Sequence, residues 1–212
     1  MGKLLNVSSP VMRVMARVTD LVILNTLFIL TALPLITIGA SLCALQTNLQ
    51  KILRHRESGL VRDYFRVFKQ NFKQATLLWM GILLLVFILF ADFRLINRLP
   101  IPVEFLLGVA AGILAILLAV VAIYGFAYLG RYENSMKMML RNVIVLSLQN
   151  LFQTIFLLVF NGFVIYFTIS SPEALLTMIY VFTFGGFAVV NLASAVMIKQ
   201  VFDRIEKNKK AD

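Results

Sequence analysis

The stretch Gly81-Ile-Leu-Leu-Leu-Val-Phe-Ile-Leu-Phe90 is ten residues of unbroken apolar sequence, and it indicates the class of fold. A strand of a membrane barrel alternates apolar and polar residues, and this stretch does not alternate. It lies inside a longer charge-free segment, Gln74 to Ala91. Since about 20 apolar residues in a helix cross a hydrocarbon core about 30 Å thick, this segment is predicted to be a membrane-spanning helix.

Four further stretches of the 212-residue chain are also free of charge. The chain is 60% apolar and 14% charged, whereas a soluble domain is close to half apolar and about a quarter charged. A chain of this length could bury about one helix that is apolar all round, but not five. We therefore predict an all-α fold, a polytopic transmembrane helical bundle of about five spans. The predicted spans are about 18–45, 75–92, 103–129, 148–170 and 173–199, in a single transmembrane domain, 1–202, followed by a basic cytoplasmic tail, 203–212.

The Lys and Arg residues predict which way the bundle faces, because cations near span ends stay on the cytoplasmic side. Seven of them lie between the first two spans and five from Lys199 to the C-terminus, whereas two lie between spans two and three and none between spans four and five. The protein is therefore predicted to be a multi-pass cell-membrane protein with a cytoplasmic C-terminus. The net charge of +10 fits attraction to anionic lipid headgroups at the span ends. No nucleic-acid motif accompanies it, so no nucleic-acid partner is predicted.

The first span is interrupted by a motif made of Leu33, Pro34, Thr37 and Gly39. Proline removes a helix hydrogen bond and glycine loosens the backbone, so a kinked span is the preferred interpretation. The alternative is a re-entrant hairpin that turns back here. The hairpin would place 18 cations inside and two outside, against 15 and five for the kinked span. Residues 21–33 are too few to cross the membrane as a helix, however, and this argues against the hairpin, so the side of the N-terminus is left open. The oligomeric state is also left open.

A basic amphipathic helix is predicted over residues 58–74, ahead of the second span. Its cations are spaced four, three and four residues apart, on a face next to an aromatic one. Such a helix lies in the membrane interface, or it offers its cationic face to a cytoplasmic partner. The cations are Arg62, Arg66, Lys69 and Lys73.

Asn25, Asn161 and Asn191 are polar residues within the predicted spans. In lipid such groups need partners on neighbouring helices, and helix-to-helix bonding is the simplest interpretation. The alternative is a small polar vestibule that holds a hydroxylated ligand or a file of water. No nucleophile with a base and no converging set of metal ligands can be assembled from the sequence. We predict a non-enzymatic protein with no catalytic residue, no metal site and no cofactor.

Two motifs carry a resemblance to a known family. The first is Leu-Pro-x-x-Thr-x-Gly at Leu33 to Gly39, and the resemblance around it begins at Asn25. The second is Phe-Arg-Val-Phe-Lys-Gln-Asn-Phe-Lys-Gln at Phe65 to Gln74. Together they resemble the YesL family of bacterial membrane proteins, which often has proline where this chain has Ala40. The resemblance implies a small protein of the bacterial cell membrane, often encoded beside ABC importers for oligosaccharides, with no catalytic residue to carry over.

The expected function is that of an accessory or assembly subunit of a membrane complex linked to carbohydrate uptake. Its expected partners are the lipid bilayer with its anionic headgroups and the subunits of an ABC importer. Two alternatives remain: a small independent transporter or channel, and a lipid-binding or membrane-organising protein.

Overall fold

A computed structural model describes residues 10–54, 59–96 and 101–208, and all regular secondary structure in these ranges is helical. The described chain forms eight α-helices, with a 3-10 turn between the first two and a short π-helical segment between the last two. The helices are α1 (Pro10–Ala32), α2 (Ile38–Leu53), α3 (Leu60–Ile96), α4 (Ile101–Leu129), α5 (Met136–Gln149), α6 (Leu151–Ile169), α7 (Pro172–Val181) and α8 (Phe187–Asn208).

Five stretches of the described chain are helical, long and apolar enough to cross a membrane, which confirms the predicted all-α bundle of about five spans. The fifth stretch contains α7, the π-helical segment and most of α8. Helix α2 is not among them. The stretches are Val14–Ala32, Leu60–Asp92, Val103–Leu129, Leu151–Ile169 and Pro172–Glu206.

The first predicted span is broken rather than kinked. Helix α1 ends at Ala32 and α2 begins at Ile38, because Pro34 takes an extended conformation and cannot donate a helix hydrogen bond. Thr31 Oγ1 lies 2.7 Å and the Ser41 carbonyl oxygen 3.5 Å from the Tyr64 hydroxyl. Ten residues of continuous helix would separate these two positions by about 15 Å. The chain therefore turns sharply here, and residues 18–45 do not form one helix.

Helix α2 forms the centre of the core. Twelve of its 16 residues are buried. They include polar residues, and the shorter ones bond within their own helix: Thr47 Oγ1 donates to the Cys43 carbonyl and Asn48 Nδ2 to the Ala44 carbonyl, both at 2.7 Å. Because its buried faces carry polar groups, α2 packs among other helices.

Helix α3 combines two elements that the sequence analysis separated. It runs without a break for 37 residues, about 55 Å at the rise of an α-helix. The predicted interfacial helix, 58–74, is its N-terminal part, and Ser58 lies outside the described residues. No proline or glycine occurs between Leu60 and Met80, so nothing ends the helix before the span. The basic segment is therefore continuous with the span that follows it.

The last crossing contains a break between α7 and α8. Gly185 has a φ of +124°, which favours glycine. The Asn25 side chain of α1 bonds to both sides of the break: its Nδ2 donates to the Phe182 carbonyl at 2.8 Å, and its Oδ1 accepts from the Ala188 amide at 3.0 Å. Beyond the break α8 continues to Asn208, so the predicted tail begins as helix; residues 209–212 lie outside the described part.

Candidate functional site

A cavity of about 470 Å³ lies between α2, α4, α6 and the α7–α8 crossing. We call it the intramembrane cavity. Most of its lining is apolar, contributed by residues such as Leu42, Phe126 and Ile165. A small group of polar residues faces the same space. They are Gln46, Asn161, Thr168, Asn191 and Ser194.

Hydrogen bonds tie these polar residues together across the helices. Gln46 Nε2 donates to Asn191 Oδ1 at 2.9 Å, and Asn161 Nδ2 donates to Ser194 Oγ at 3.2 Å. The buried Gln46 Oε1 has no hydrogen-bond partner among the described residues. The cavity therefore offers an acceptor that suits a ligand hydroxyl or a water molecule.

The structure brings together two of the three predicted vestibule residues. Asn161 and Asn191 line the cavity, whereas Asn25 does not line it and bonds across the α7–α8 break. Gln46 and Ser194 were not predicted as site residues. One feature of the sequence could have indicated Gln46. It is a polar amide side chain within a charge-free stretch, and such a group needs a partner on another helix.

The motif Leu33, Pro34, Thr37 and Gly39 forms the turn between α1 and α2. Thr37 Oγ1 lies 2.6 Å from the Thr31 carbonyl oxygen and 2.7 Å from that of Pro34. Trp79 Nε1 donates to the Leu35 carbonyl at 2.9 Å. A Cβ on Gly39 would lie 2.3 Å from the Ala75 carbonyl oxygen, so glycine allows α2 to touch α3. The turn thus sets the position of α2.

The cations Arg62, Arg66, Lys69 and Lys73, which we call the basic stripe, lie exposed on α3. Arg66 forms an ion pair with Asp63. Arg62, Lys69 and Lys73 form no ion pair with another described residue. All four predicted contact residues are therefore exposed cations on one helix, and three of them have no ion-pair partner among the described residues.

A second depression, which we call the basic cleft, lies where the end of α2, the start of α3 and the residues after α4 meet. It has a volume of about 380 Å³. Gly130 belongs to its wall, and a Cβ there would lie 1.7 Å from Thr47 Oγ1, so only glycine allows this approach. Four cations and one acid line the cleft. Its lining residues are Thr47, Gln50, Lys51, Arg54, Asp63, Arg66, Gly130 and Arg131.

An ionic network joins the cleft to the end of α8. Arg131 Nη2 donates to Glu206 Oε1 at 2.6 Å and to Asp203 Oδ1 at 3.1 Å, and Arg54 also pairs with Asp203. The Tyr132 hydroxyl donates to Glu206 Oε1 at 2.9 Å. Burial raises the pKa of Tyr132, and the bond to Glu206 raises it further, so the phenol stays a neutral donor. Three separate parts of the chain are held together here.

From the sequence, these cations were predicted only as loop charges. Arg54 and Asp203 are 149 positions apart in the chain, and no periodicity links positions so distant. Charge counting placed the cations at one end of the bundle, but only the fold pairs them with the carboxylates of α8.

One family model matches the chain, described as "Protein of unknown function, DUF624", over residues 21–93. The matched region contains the second half of α1, the turn, α2 and the whole of the α3 span. It therefore includes the Leu33 to Gly39 motif and the basic stripe. No curated protein and no solved structure matches the chain.

Proposed function

We propose that this chain is a non-enzymatic accessory or assembly subunit of a membrane complex in the bacterial cell membrane. The observation that carries the proposal is the basic stripe, in which Arg62, Lys69 and Lys73 are exposed and have no acid opposite them among the described residues. Anionic headgroups attract flexible cations as well as they attract cations held at a fixed spacing. A continuous helix fixes the spacing of its charges, which attraction to headgroups does not require. A fixed pattern of cations suits an acidic protein surface.

The C-terminus and the basic stripe lie on the cytoplasmic side in this proposal. Support comes from Lys51 and Arg54 at the end of α2, Arg131 after α4 and Lys199 in the second half of α8. These cations gather at one end of the bundle, where Lys199 Nζ donates to the Leu53 carbonyl at 3.2 Å. Clustered cations at span ends are typical of the cytoplasmic side.

The link to carbohydrate uptake, with ABC importer subunits as partners, is supported by the resemblance to the YesL family. That resemblance lies in the motif at Leu33 to Gly39 and in the run from Phe65 to Gln74. The second of these runs carries three of the stripe cations, Arg66, Lys69 and Lys73. The residues behind the resemblance and those behind the docking proposal therefore overlap.

The proposal is tested by replacing Arg62, Lys69 and Lys73 with Gln in a tagged chain expressed in its native cell. Arg66 is kept because it pairs with Asp63 and lines the basic cleft. We expect the variant to insert normally but to lose a protein that co-purifies with the wild type in mild detergent at low salt. Raising the salt should release the same protein from the wild type, because the contacts are ionic.

A matched control removes three exposed cations elsewhere, Lys137, Arg141 and Arg204. This control variant should keep the partner. Equal recovery of every co-purifying protein from wild type and stripe variant would contradict the docking proposal. The stripe would then serve as a contact for anionic headgroups, as a lipid-binding or membrane-organising protein requires.

The intramembrane cavity favours a second candidate, a small transporter that carries a hydroxylated ligand. Gly162 lines the cavity, and a Cβ there meets no atom within 4 Å. Gly162→Leu should therefore fill part of the cavity without a clash, whereas Gly112→Leu, outside the lining and equally unobstructed, is the control. Transport would be favoured if Gly162→Leu abolishes growth on an oligosaccharide, Gly112→Leu does not, and both variants still co-purify with the partner. Normal growth would count against it.

A further inference from the structure

The basic cleft contains two buried donors that lack an acceptor. Gln50 is 4% exposed, and its Oε1 accepts from Arg131 Nη1 at 3.3 Å. Because a guanidinium only donates, this bond fixes the orientation of the amide and leaves Nε2 as a donor. Neither Gln50 Nε2 nor the buried Arg54 Nε has a partner among the described residues. Since buried donors in folded proteins are almost always paired, the cleft is suited to receive acceptor atoms.

The charges around the cleft favour an anion over a neutral acceptor. Lys51, Arg54, Arg66 and Arg131 line it, against Asp63 alone. Asp203 and Glu206 neutralise part of this charge, but they do so from α8 and do not line the cleft. Lys51 and Arg66 both pair with Asp63. The four cations therefore face three acids among the described residues, and an anion would meet one excess positive charge together with the two unpaired donors.

The shape and the donor types point to a phosphate group. The side chain of Arg131 is 10% exposed and that of Arg66 is 53% exposed, so the cleft has a buried floor and an open rim. A water molecule takes up about 30 Å³, so about 380 Å³ holds a tetrahedral anion and part of the molecule that carries it. Guanidinium groups match the oxygens of phosphate with paired bonds.

We propose that the basic cleft binds a phosphate-bearing anion, either a soluble phosphate compound or the headgroup of an anionic phospholipid. The site is independent of the docking proposal, because Arg62, Lys69 and Lys73 do not line the cleft. Loss of one function therefore leaves the other measurable.

The test is calorimetric titration of the full chain, in an uncharged detergent, with inorganic phosphate against sodium chloride of equal ionic strength. We expect saturable phosphate binding to the wild type and at least tenfold weaker binding to Gln50→Leu, which removes the unpaired donor but keeps a similar volume. Arg62→Gln, which lowers the charge outside the cleft, is the matched control and should bind as the wild type does.

Arg54→Lys provides a second variant, since it keeps the charge but removes the buried Nε donor; it should weaken binding as well. The proposal is overturned if the wild type shows no saturable heat beyond that of chloride. It is also overturned if phosphate binds both cleft variants as tightly as the wild type, because the binding would then depend on general charge.

The source of the phosphate is distinguished in nanodiscs of phosphatidylcholine with or without phosphatidylglycerol. If the headgroup is the natural ligand, phosphatidylglycerol should compete and lower the apparent affinity of the wild type for inorganic phosphate several-fold. If the ligand is a soluble compound, the affinity should be the same in both kinds of nanodisc.

Discussion

Gly39, within the region matched by the family model, packs too closely against α3 to carry a side chain. It is the last residue of the Leu33 to Gly39 motif, and it lies where α2 approaches the backbone of α3. A Cβ would meet the Ala75 carbonyl oxygen at 2.3 Å and Trp79 Cβ at 2.6 Å. Both obstacles are backbone or near-backbone atoms, which cannot move aside without shifting a helix. The requirement for glycine thus follows from helix packing rather than from backbone conformation.

We expect Gly39→Ala to lower the free energy of unfolding by about 1–3 kcal/mol, the usual cost of overpacking. Trp79 is the only tryptophan of the chain, so its fluorescence reports on this contact directly. The emission of Trp79 should change in Gly39→Ala and remain unchanged in the control Gly112→Ala, where a Cβ meets nothing within 4 Å. Equal stability and equal emission of the two variants would show that the close approach does not exist.

Helix α3 determines how the basic stripe is presented. In a separate interfacial helix, the stripe would lie parallel to the membrane surface. As part of one helix from Leu60 to Ile96, it continues the axis of the span. The charge pattern and the apolar stretch were both visible in the sequence, but their continuity was not, because the amphipathic pattern changes to an all-apolar one near Gln74. In the fold α2 covers one face of both halves, through Tyr64, Val67 and Ala75.

Spin labels on Arg62 and Leu84, both exposed, measure this continuity in a Cys43→Ala background. The two positions are 22 residues apart, so a straight helix places their backbones about 33 Å apart. We expect a narrow distance distribution close to that value by pulsed electron resonance. A right-angle bend near Gln74 would shorten the distance by roughly 10 Å. Such a result would show that residues 58–74 form a separate interfacial helix, as the sequence predicted.

At the scale of the whole molecule, composition was enough to predict a helical membrane bundle. Charge-free stretches are a direct consequence of the cost of placing charges in lipid. The internal organisation was harder to predict, because α2 is apolar enough to resemble half of a span and yet contributes buried amides to two sites. Gln46 lines the intramembrane cavity and Gln50 the basic cleft. Which helix neighbours each amide depends on long-range packing, and no local pattern reports it.

Both proposed sites depend on the same orientation. The basic stripe can meet a cytoplasmic partner, and the basic cleft can meet cytoplasmic phosphate, only if the end of the bundle that carries Arg54, Arg131 and Asp203 faces the cytoplasm. The sharp turn between α1 and α2 also bears on topology, since a hairpin here brings the N-terminal cations to the same side, where they give the larger charge difference.

The most direct test is therefore a topology measurement with reporters on the intact chain. The account predicts that a reporter fused after Asp212 is cytoplasmic and that a reporter inserted between α3 and α4 is outside. A tag at Met1 is cytoplasmic if α1 and α2 form a hairpin that returns to the same side, and outside if α1 alone crosses the membrane as one of five spans. An external reporter at Asp212 would contradict the account, because it would place the basic stripe and the basic cleft on the outer face.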